Sequence, residues 1–388
     1  MGKRIGMEVA VAASEAAALC RFDVAAVYPI TPQSHVAEHL SDIVNDGRVD
    51  ASFMTVESEH SALSAVIGAS ATGARVITAT SSQGLMYMNE VMPIASGMRL
   101  PIVMLVANRA VSSPINIWND HSDIMPMRDT GWISFFSENG QEAVDMVIQA
   151  YKVAEHRDVM LPVNVMMDGF QLTHMVEPLN MPDQEEVDRF LPPIVPYATL
   201  HPDKPVSMGT LAMPEIFTEA QKSKDAALIN SIKVIREVWK EWEELFGRKY
   251  EPVETYLTED ADVALVTMGS MGETAEVAVD ELRKEGIKAG LVKIKLWRPF
   301  PFEDLKKAIK GIRVLAVTDR AVSFGGPGGP VCSEIRSALY DDLSRPEIVN
   351  FIIGLGGRDV QVADFMTMVK KAAAGKLSEP YEYYGVRG

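Results

Sequence analysis

Cysteine is nearly missing from this chain of 388 residues: it occurs only as Cys20 and Cys332, each among apolar neighbours and with no CxxC anywhere. Two thiols so placed exclude a disulfide framework, and they are too few for an iron–sulfur cluster or a structural zinc site held by this chain alone. Positive charge is also short. Lys and Arg number 37 against 53 Asp and Glu, a formal net charge of −16, which argues against a nucleic-acid or anionic-membrane surface and otherwise serves solubility. No apolar run reaches the ~20 residues of a membrane span. The opening MGKRIGMEVAVAASEAAALC has the look of a signal peptide, but Glu8 and Glu15 break its apolar run at helical spacing. It therefore reads as a first amphipathic helix, and the protein as cytoplasmic. Catalytic signatures are missing too. The seven histidines form no HxH or HExxH, there is no GxSxG, and neither GxGxxG nor GxxxxGKS/T is complete.

Hydrophobic residues at 47% and charged ones at 23% suit a globular protein of two or three domains. Over the first 180 residues, apolar strands alternate with helices. Helices are expected at 6–20, 34–45, 58–72, 84–96 and 141–156, and strands at 23–28, 52–56, 75–80, 102–107 and 162–167. Such strands predict a mainly parallel sheet covered on both faces. The irregular run 108–130 is longer than a connector needs, which is usual for functional loops. Residues 181–260 make a proline-rich connection and a long helix, 215–246, with a charged polar face. A second α/β unit occupies 261–388, with strands at 263–268, 288–295, 314–318 and 348–353, the turn RPFPFEDL, and a polar, aromatic tail from 372 that reads as wrapping a neighbour. The fold class is α/β, with two doubly wound, mainly parallel sheets. The 22 methionines read as core gap-fillers.

Residues 56–85, VESEHSALSAVIGASATGARVITATSSQGL, hold the most chemistry. Ser58 can cap a helix with Glu59 in its first turn. The helix is built of small residues (Ala62, Ala65, Gly68, Ala69, Ser70, Ala71), which predicts very close packing against it. A carboxylate at that helix start, beside the hydroxyl-rich strand end Ser81-Ser82-Gln83-Gly84, is how an α/β protein builds a ligand crevice. Taken alone, this helix favours reading Glu59 as a first-turn residue complementing the helix dipole. Thr31, between Pro29 and Pro32, and Arg109 also fall at strand carboxyl ends. Together they make a plausible anion-binding pair, although spacing leaves Arg109 equally open as a surface arginine. Asp120 and Asp123 of the DHSD run suit an Asx-type turn better than a cation. The turns GSMG (269–272) and FGGPGG (324–329) read as plain strand-to-helix turns rather than phosphate cradles.

The segments YPITP, VESEHSALSAVIGAS, TATSSQGL, SGMRLPIV, NIWNDHSD, LWRPFP and GLGGRDV, in this order along the chain, resemble the α subunit of the 2-oxoacid:ferredoxin oxidoreductases, and within them pyruvate:ferredoxin oxidoreductase of the multi-subunit type. The resemblance covers essentially the whole chain. It implies a thiamine-diphosphate enzyme that oxidatively decarboxylates a 2-oxoacid, transfers the acyl group to coenzyme A and sends electrons to ferredoxin. This chain would supply the pyrimidine-binding domain (1–180) and a transketolase C-terminal-like domain (261–388). A β subunit would hold the diphosphate and Mg, with γ and δ type subunits bearing [4Fe-4S] clusters in a dimer of heteromers. The lack of a GDG run with a downstream NN agrees with that division.

Carried over, the resemblance gives Glu59 the contact to the aminopyrimidine ring nitrogen, where a carboxylate favours the tautomer that can deprotonate the thiazolium carbon. It gives Thr31 and Arg109 the substrate carboxylate and carbonyl, and Pro29, Ile30, Ser82 and Gln83 further cofactor contacts. Relatives acting on oxalate carry arginine where Thr31 stands, so Thr31 implies a monocarboxylate: pyruvate, with 2-oxoisovalerate or phenylglyoxylate as alternatives. Readings from other classes are a non-catalytic bracing subunit and a self-sufficient transketolase-like transferase. The cysteine count generates a direct test. Purified free of partners, the chain should be colourless, with no iron–sulfur absorbance or EPR signal; stoichiometric iron would contradict it.

Overall fold

The computed structural model describes residues 2–375 and 379–387. The first half runs β1 (Lys3–Glu8), α1 (Val9–Leu19), β2 (Val24–Ala26), α2 (Ser34–Asn45), β3 (Ser52–Met54), α3 (Glu59–Ala71), β4 (Val76–Thr80), α4 (Ser82–Met88), α5 (Met92–Gly97), β5 (Ile102–Asn108), β6 (Ile133–Phe136), α6 (Gly140–Ala154), β7 (Val163–Asp168), β8 (Val176–Met181) and α7 (Gln184–Phe190). A long helix, α8 (Pro214–Phe246), then leads into the second half. That half comprises β9 (Val253–Tyr256), β10 (Val263–Thr267), α9 (Met271–Lys284), β11 (Ala289–Ile294), β12 (Leu296–Arg298), α10 (Phe302–Ala308), β13 (Val314–Asp319), α11 (Pro330–Ala338), β14 (Glu347–Ile352), α12 (Val362–Ala373) and β15 (Glu382–Tyr383).

Two α/β sheets result. The first has seven strands in the order β12-β6-β7-β5-β4-β2-β3, parallel throughout except for β12. The second has six in the order β15-β14-β13-β10-β11-β9, parallel except for β9. Alternate residues of each strand serve opposite faces, as the two-residue repeat demands. Ile77 and Ala79 of β4 pack with α1, α2, α6 and the second half of α8. Val76, together with Ile102, Met104 and Val106 of β5, packs with α3, α4 and α5. That second layer is continuous with Ala264, Val266, Leu315 and Val317 of the other sheet, so one apolar core joins both units. The far face of the second sheet is covered by α9 and α12. Among the described residues no helix is long and apolar enough to cross a membrane.

Several local expectations are corrected. The chain begins with a strand, because residues 3–8 pair antiparallel with β8, and the first helix starts only at Val9. The expected helix over 84–96 is two short helices broken at residues 89–91. Arg298, expected to open the RPFPFEDL turn, instead ends β12, which leaves the second unit to pair with β6 on the edge of the first sheet. The tail expected to wrap a neighbour supplies β15, an edge strand beside β14; its residues 376–378 and 388 lie outside the described residues. On the small-residue helix α3, Gly68 faces open space, and the close approach falls instead at Gly84 of α4. Methionines 88, 92, 125 and 127 are buried core residues, as gap-fillers should be.

The two units meet at the carboxyl ends of their sheets around Asp168, the last residue of β7 and 1% exposed. Its carboxylate accepts from His121 Nε2 (2.9 Å), Ser270 N (2.9 Å), Ser270 Oγ (2.5 Å) and Arg320 Nη1 (2.5 Å). Burial alone would raise its pKa, but Arg320 and His121 outweigh burial and hold it far below the usual carboxylate range. A pKa depressed in the folded state contributes stability that is complete above about pH 4, near the unfolded aspartate value, and is lost as pH falls further. Asp168→Asn leaves Arg320 buried without its counter-charge. It should cost about 3–5 kcal/mol in urea unfolding and flatten the acid limb of the stability profile.

Candidate active site

Parallel strands bring the loops that follow them to a single edge. At the first sheet, that edge gathers the turn after β2 with Pro29, Ile30, Thr31 and Gln33, the start of α3 after β3, the Ser81–Gly84 run after β4, and Arg109 after β5. Ser58 caps α3 by accepting a hydrogen bond from Ser61 N at 3.2 Å. Glu59 is therefore the first helical residue, 8% exposed and without a hydrogen-bond partner among the described residues. Gly84 lies so close that a Cβ there would sit 2.7 Å from Glu59 Oε1 and 2.5 Å from Thr80 Oγ1. A side chain at 84 would push α4 away from Glu59.

Thr31 and Arg109 are brought together, though not by the Thr31 hydroxyl. Arg109 Nη1 donates to the Thr31 carbonyl at 2.9 Å and Nε donates to the Asn116 carbonyl at 2.9 Å. Nη2 has no hydrogen-bond partner among the described residues. Pro29 and Thr31 are exposed and Ile30 is half-buried. Ser82, which has a left-handed φ of 47°, is fully buried; its hydroxyl lies 2.7 Å from Ala110 O and 2.6 Å from the side chain of half-buried Gln83.

Behind this edge stands a residue whose role sequence reasoning missed. Asp123 Oδ1 accepts from Asn108 Nδ2 at 2.9 Å, and Oδ2 accepts from Arg109 N at 3.0 Å and Ser82 N at 3.1 Å. It thus ties the ends of β4 and β5 together, and burial pushes its carboxyl up to about 7 despite those three bonds. The Asx-type turn expected of the DHSD run is made by Asp120 alone, which accepts from Ser122 N at 2.9 Å. Spacing could not separate the two aspartates, because only the fold shows which one points inward.

Among the described residues, four buried polar atoms of this region have no hydrogen-bond partner: Gln33 Nε2, Thr80 Oγ1, Ser81 Oγ and Asn108 Oδ1. Each such atom costs about 1–3 kcal/mol unless a ligand or water meets it, and one of them, Thr80 Oγ1, closes on Gly84 together with Glu59. The glycine turns offer no such vacancy. At GSMG, Ser270 N and Oγ donate to Asp168. At FGGPGG, Asp319 accepts from Val331 N (2.7 Å) and Cys332 N (3.1 Å), and burial raises that carboxyl to about 6. The chain's own carboxylates fill both amide cradles. The fold also gathers residues that spacing kept apart. His35 Nδ1 lies 2.6 Å from Glu8 Oε1, and its ring stacks on His174 at 4.5 Å. Glu138 and Glu142 enclose the Lys295 ammonium. A cavity of about 1050 Å³ lies elsewhere, under α8 and lined by Leu228, Ile232, Arg298 and Phe300.

Two packed α/β units, with a nearly buried carboxylate at a helix start on a strand-end edge, form the setting of this candidate site. Residues 15–240 match the family described as pyruvate flavodoxin/ferredoxin oxidoreductase, thiamine diphosphate-binding. Residues 261–365 match pyruvate:ferredoxin oxidoreductase core domain II. The chain belongs to the pyruvate flavodoxin/ferredoxin oxidoreductase family. It is 47% identical to pyruvate synthase subunit PorA of Pyrococcus abyssi over 99% of this chain and 98% of that one. It is 44% identical to ketoisovalerate oxidoreductase subunit VorA of Pyrococcus horikoshii over 97% and 96%. Among solved structures, its fold is similar to the 2-oxoglutarate:ferredoxin oxidoreductase of Magnetococcus marinus, with a TM-score of 0.73 and 19% identity, covering 96% of this chain and 66% of that one.

The Asp123 brace generates a stability test. Asp123→Ala leaves Ser82 N, Arg109 N and Asn108 Nδ2 buried without an acceptor. It should cost at least about 2 kcal/mol in denaturant unfolding; a loss below about 0.5 kcal/mol, the size of an ordinary surface substitution, would show that the brace is idle.

Proposed function

We propose that this chain is the α subunit of a pyruvate:ferredoxin oxidoreductase, which converts pyruvate and coenzyme A to acetyl-CoA and CO2 and passes two electrons towards ferredoxin. The observation that carries the reading is Glu59: a nearly buried carboxylate without a protein partner, on the same sheet edge as Arg109. Full-length similarity to a pyruvate synthase subunit supports the choice of reaction. The chain works in the cytoplasm with β, γ and δ type subunits that carry the Mg-diphosphate half of the site and the [4Fe-4S] clusters.

Bound thiamine diphosphate supplies a carbon nucleophile and a sink for the electron pair freed when CO2 departs. Glu59 holds the proton at the far ring nitrogen of the aminopyrimidine. Thr80 Oγ1, Ser81 Oγ and Gln33 Nε2, unpaired within the chain, offer the ring polar contacts. Arg109 presents Nη2 to the substrate carboxylate, with Nε and Nη1 already anchoring the guanidinium to the protein. The exposed Thr31 hydroxyl lies on the same turn that accepts from Nη1. One guanidinium balances one carboxylate, which suits a 2-oxoacid whose other end is uncharged.

The test uses the assembled enzyme. Glu59→Gln should assemble and bind cofactor yet lose at least ~100-fold in kcat, and kcat/KM should rank pyruvate above 2-oxoisovalerate, phenylglyoxylate, 2-oxoglutarate and oxalate. Activity of Glu59→Gln within about threefold of the parent, against that ~100-fold expectation, would remove the role given to Glu59. A lead for 2-oxoisovalerate or phenylglyoxylate would overturn only the choice of pyruvate, whereas a lead for a dicarboxylate would overturn the monocarboxylate site.

A further inference from the structure

The guanidinium of Arg109 is aimed by two backbone carbonyls. One belongs to the tight turn at Thr31. The other belongs to Asn116, in an otherwise exposed stretch of the loop after β5, where residues 112–115 face solvent. A carbonyl in such a loop can orient an arginine only if the loop is itself held. The tether comes from the second unit. Asn116 Nδ2 donates to Gly356 O at 3.0 Å, and Asn116 Oδ1 accepts from Trp118 N at 2.7 Å. Gly356 N donates to Asp120 Oδ2 at 3.0 Å, and Gly357 N donates to Asn119 O at 2.7 Å.

The glycines of this turn are required by geometry. Gly354, Gly356 and Gly357 have φ values of 61°, 58° and 78°, the left-handed region that other residues adopt at a cost. A Cβ on Gly356 would lie 2.5 Å from Asn116 Nδ2, and one on Gly357 would lie 2.4 Å from Trp118 Cβ. The second unit thus reaches the edge of the first through bare backbone, at Asn116 itself, the residue whose carbonyl receives Arg109 Nε.

We infer that Asn116 is a positioning residue for substrate binding, coupling the Gly354–Gly357 turn of the second unit to the direction in which Arg109 presents its free Nη2. This rests on the reading that Arg109 holds the 2-oxoacid carboxylate. Asn116 touches no substrate; it fixes the carbonyl that receives Arg109 Nε, so that Nη2 rather than another nitrogen faces the site. Removing the tether frees the guanidinium to rotate and weakens the grip on the carboxylate. The expected signature is a change in KM for pyruvate that KM for coenzyme A does not share.

The experiment is a double-mutant cycle in the assembled enzyme, with KM for pyruvate, KM for coenzyme A and kcat measured for Asn116→Ala, Arg109→Lys and the pair. Asn116→Ala should raise KM for pyruvate about tenfold, the scale of one hydrogen bond to a charged group, with KM for coenzyme A within about twofold, since uniform substrate binding alone is lost. In the Arg109→Lys background, Asn116→Ala should add almost nothing, because residues acting through one contact are not additive. If Asn116→Ala does not assemble, Asn116→Asp replaces it: it keeps the acceptor for Trp118 N, loses the donor to Gly356 O, and should shift KM the same way. Arg109→Lys raising KM while the Asn116 variant leaves it unchanged would overturn the inference and spare the Arg109 reading. Additive effects would likewise overturn it. An unchanged KM in Arg109→Lys would overturn the Arg109 reading, and the inference with it.

Discussion

A charge buried between two sheets needs compensation on every side, and Asp168 has it from both units. His121 reaches it from the loop after β5, Ser270 from the turn after β10, and Arg320 from the end of β13. Ser270 and Arg320 sit just past strand carboxyl ends and His121 in the loop that follows one, so satisfying the carboxylate fixes how the two edges face each other. The same contacts hold the loop 109–123 between the units, because His121 N also donates to the Arg320 carbonyl at 2.8 Å. A buried ion pair of this kind adds little net stability over an apolar contact of the same shape. Its geometric demand is what apolar packing lacks, and the shared core beneath it supplies the stability.

Aspartates at strand ends recur in this molecule, with environment setting their chemistry. Asp168 faces an arginine and a histidine and is held low. Asp319 and Asp123 receive amide donors but no comparable cation, and burial pushes them up to about 6 and about 7. All three are fully engaged with the chain. Glu59 is different: it is nearly as buried, and its carboxylate meets no protein donor. Among the described carboxylates of similar depth, Glu59 is the one that no protein donor meets.

The active edge is also incomplete in a way that suits a subunit. Arg109 and Thr31 are anchored through backbone carbonyls, leaving Nη2 and the hydroxyl outward. Gln33, Thr80 and Ser81 each keep a buried polar atom without a hydrogen-bond partner among the described residues. The cavity of about 1050 Å³ under α8 lies away from this edge.

Much of this was legible in the sequence because it depends on local chemistry. Nearly continuous apolar strands between helices require burial on both faces, hence two parallel sheets. Ser58 followed by Glu59 is a favoured helix start, and the parallel sheet then sends Thr31, Ser82 and Arg109 to one edge. Contacts between residues far apart in sequence left no local signal. The pairing that makes residues 3–8 a strand depends on residues 176–181, and β12 is a strand only because β6 offers it an edge. The inward turn of Asp123, the filling of both glycine cradles by Asp168 and Asp319, and the reach of Gly356 to Asn116 were likewise decided by tertiary structure. The sequence by itself determined which side chains could do the chemistry and at which strand ends they stand. Only the packing of one unit on the other decided which of them are satisfied within the chain and which are left for a ligand, since that depends on donors brought from remote positions.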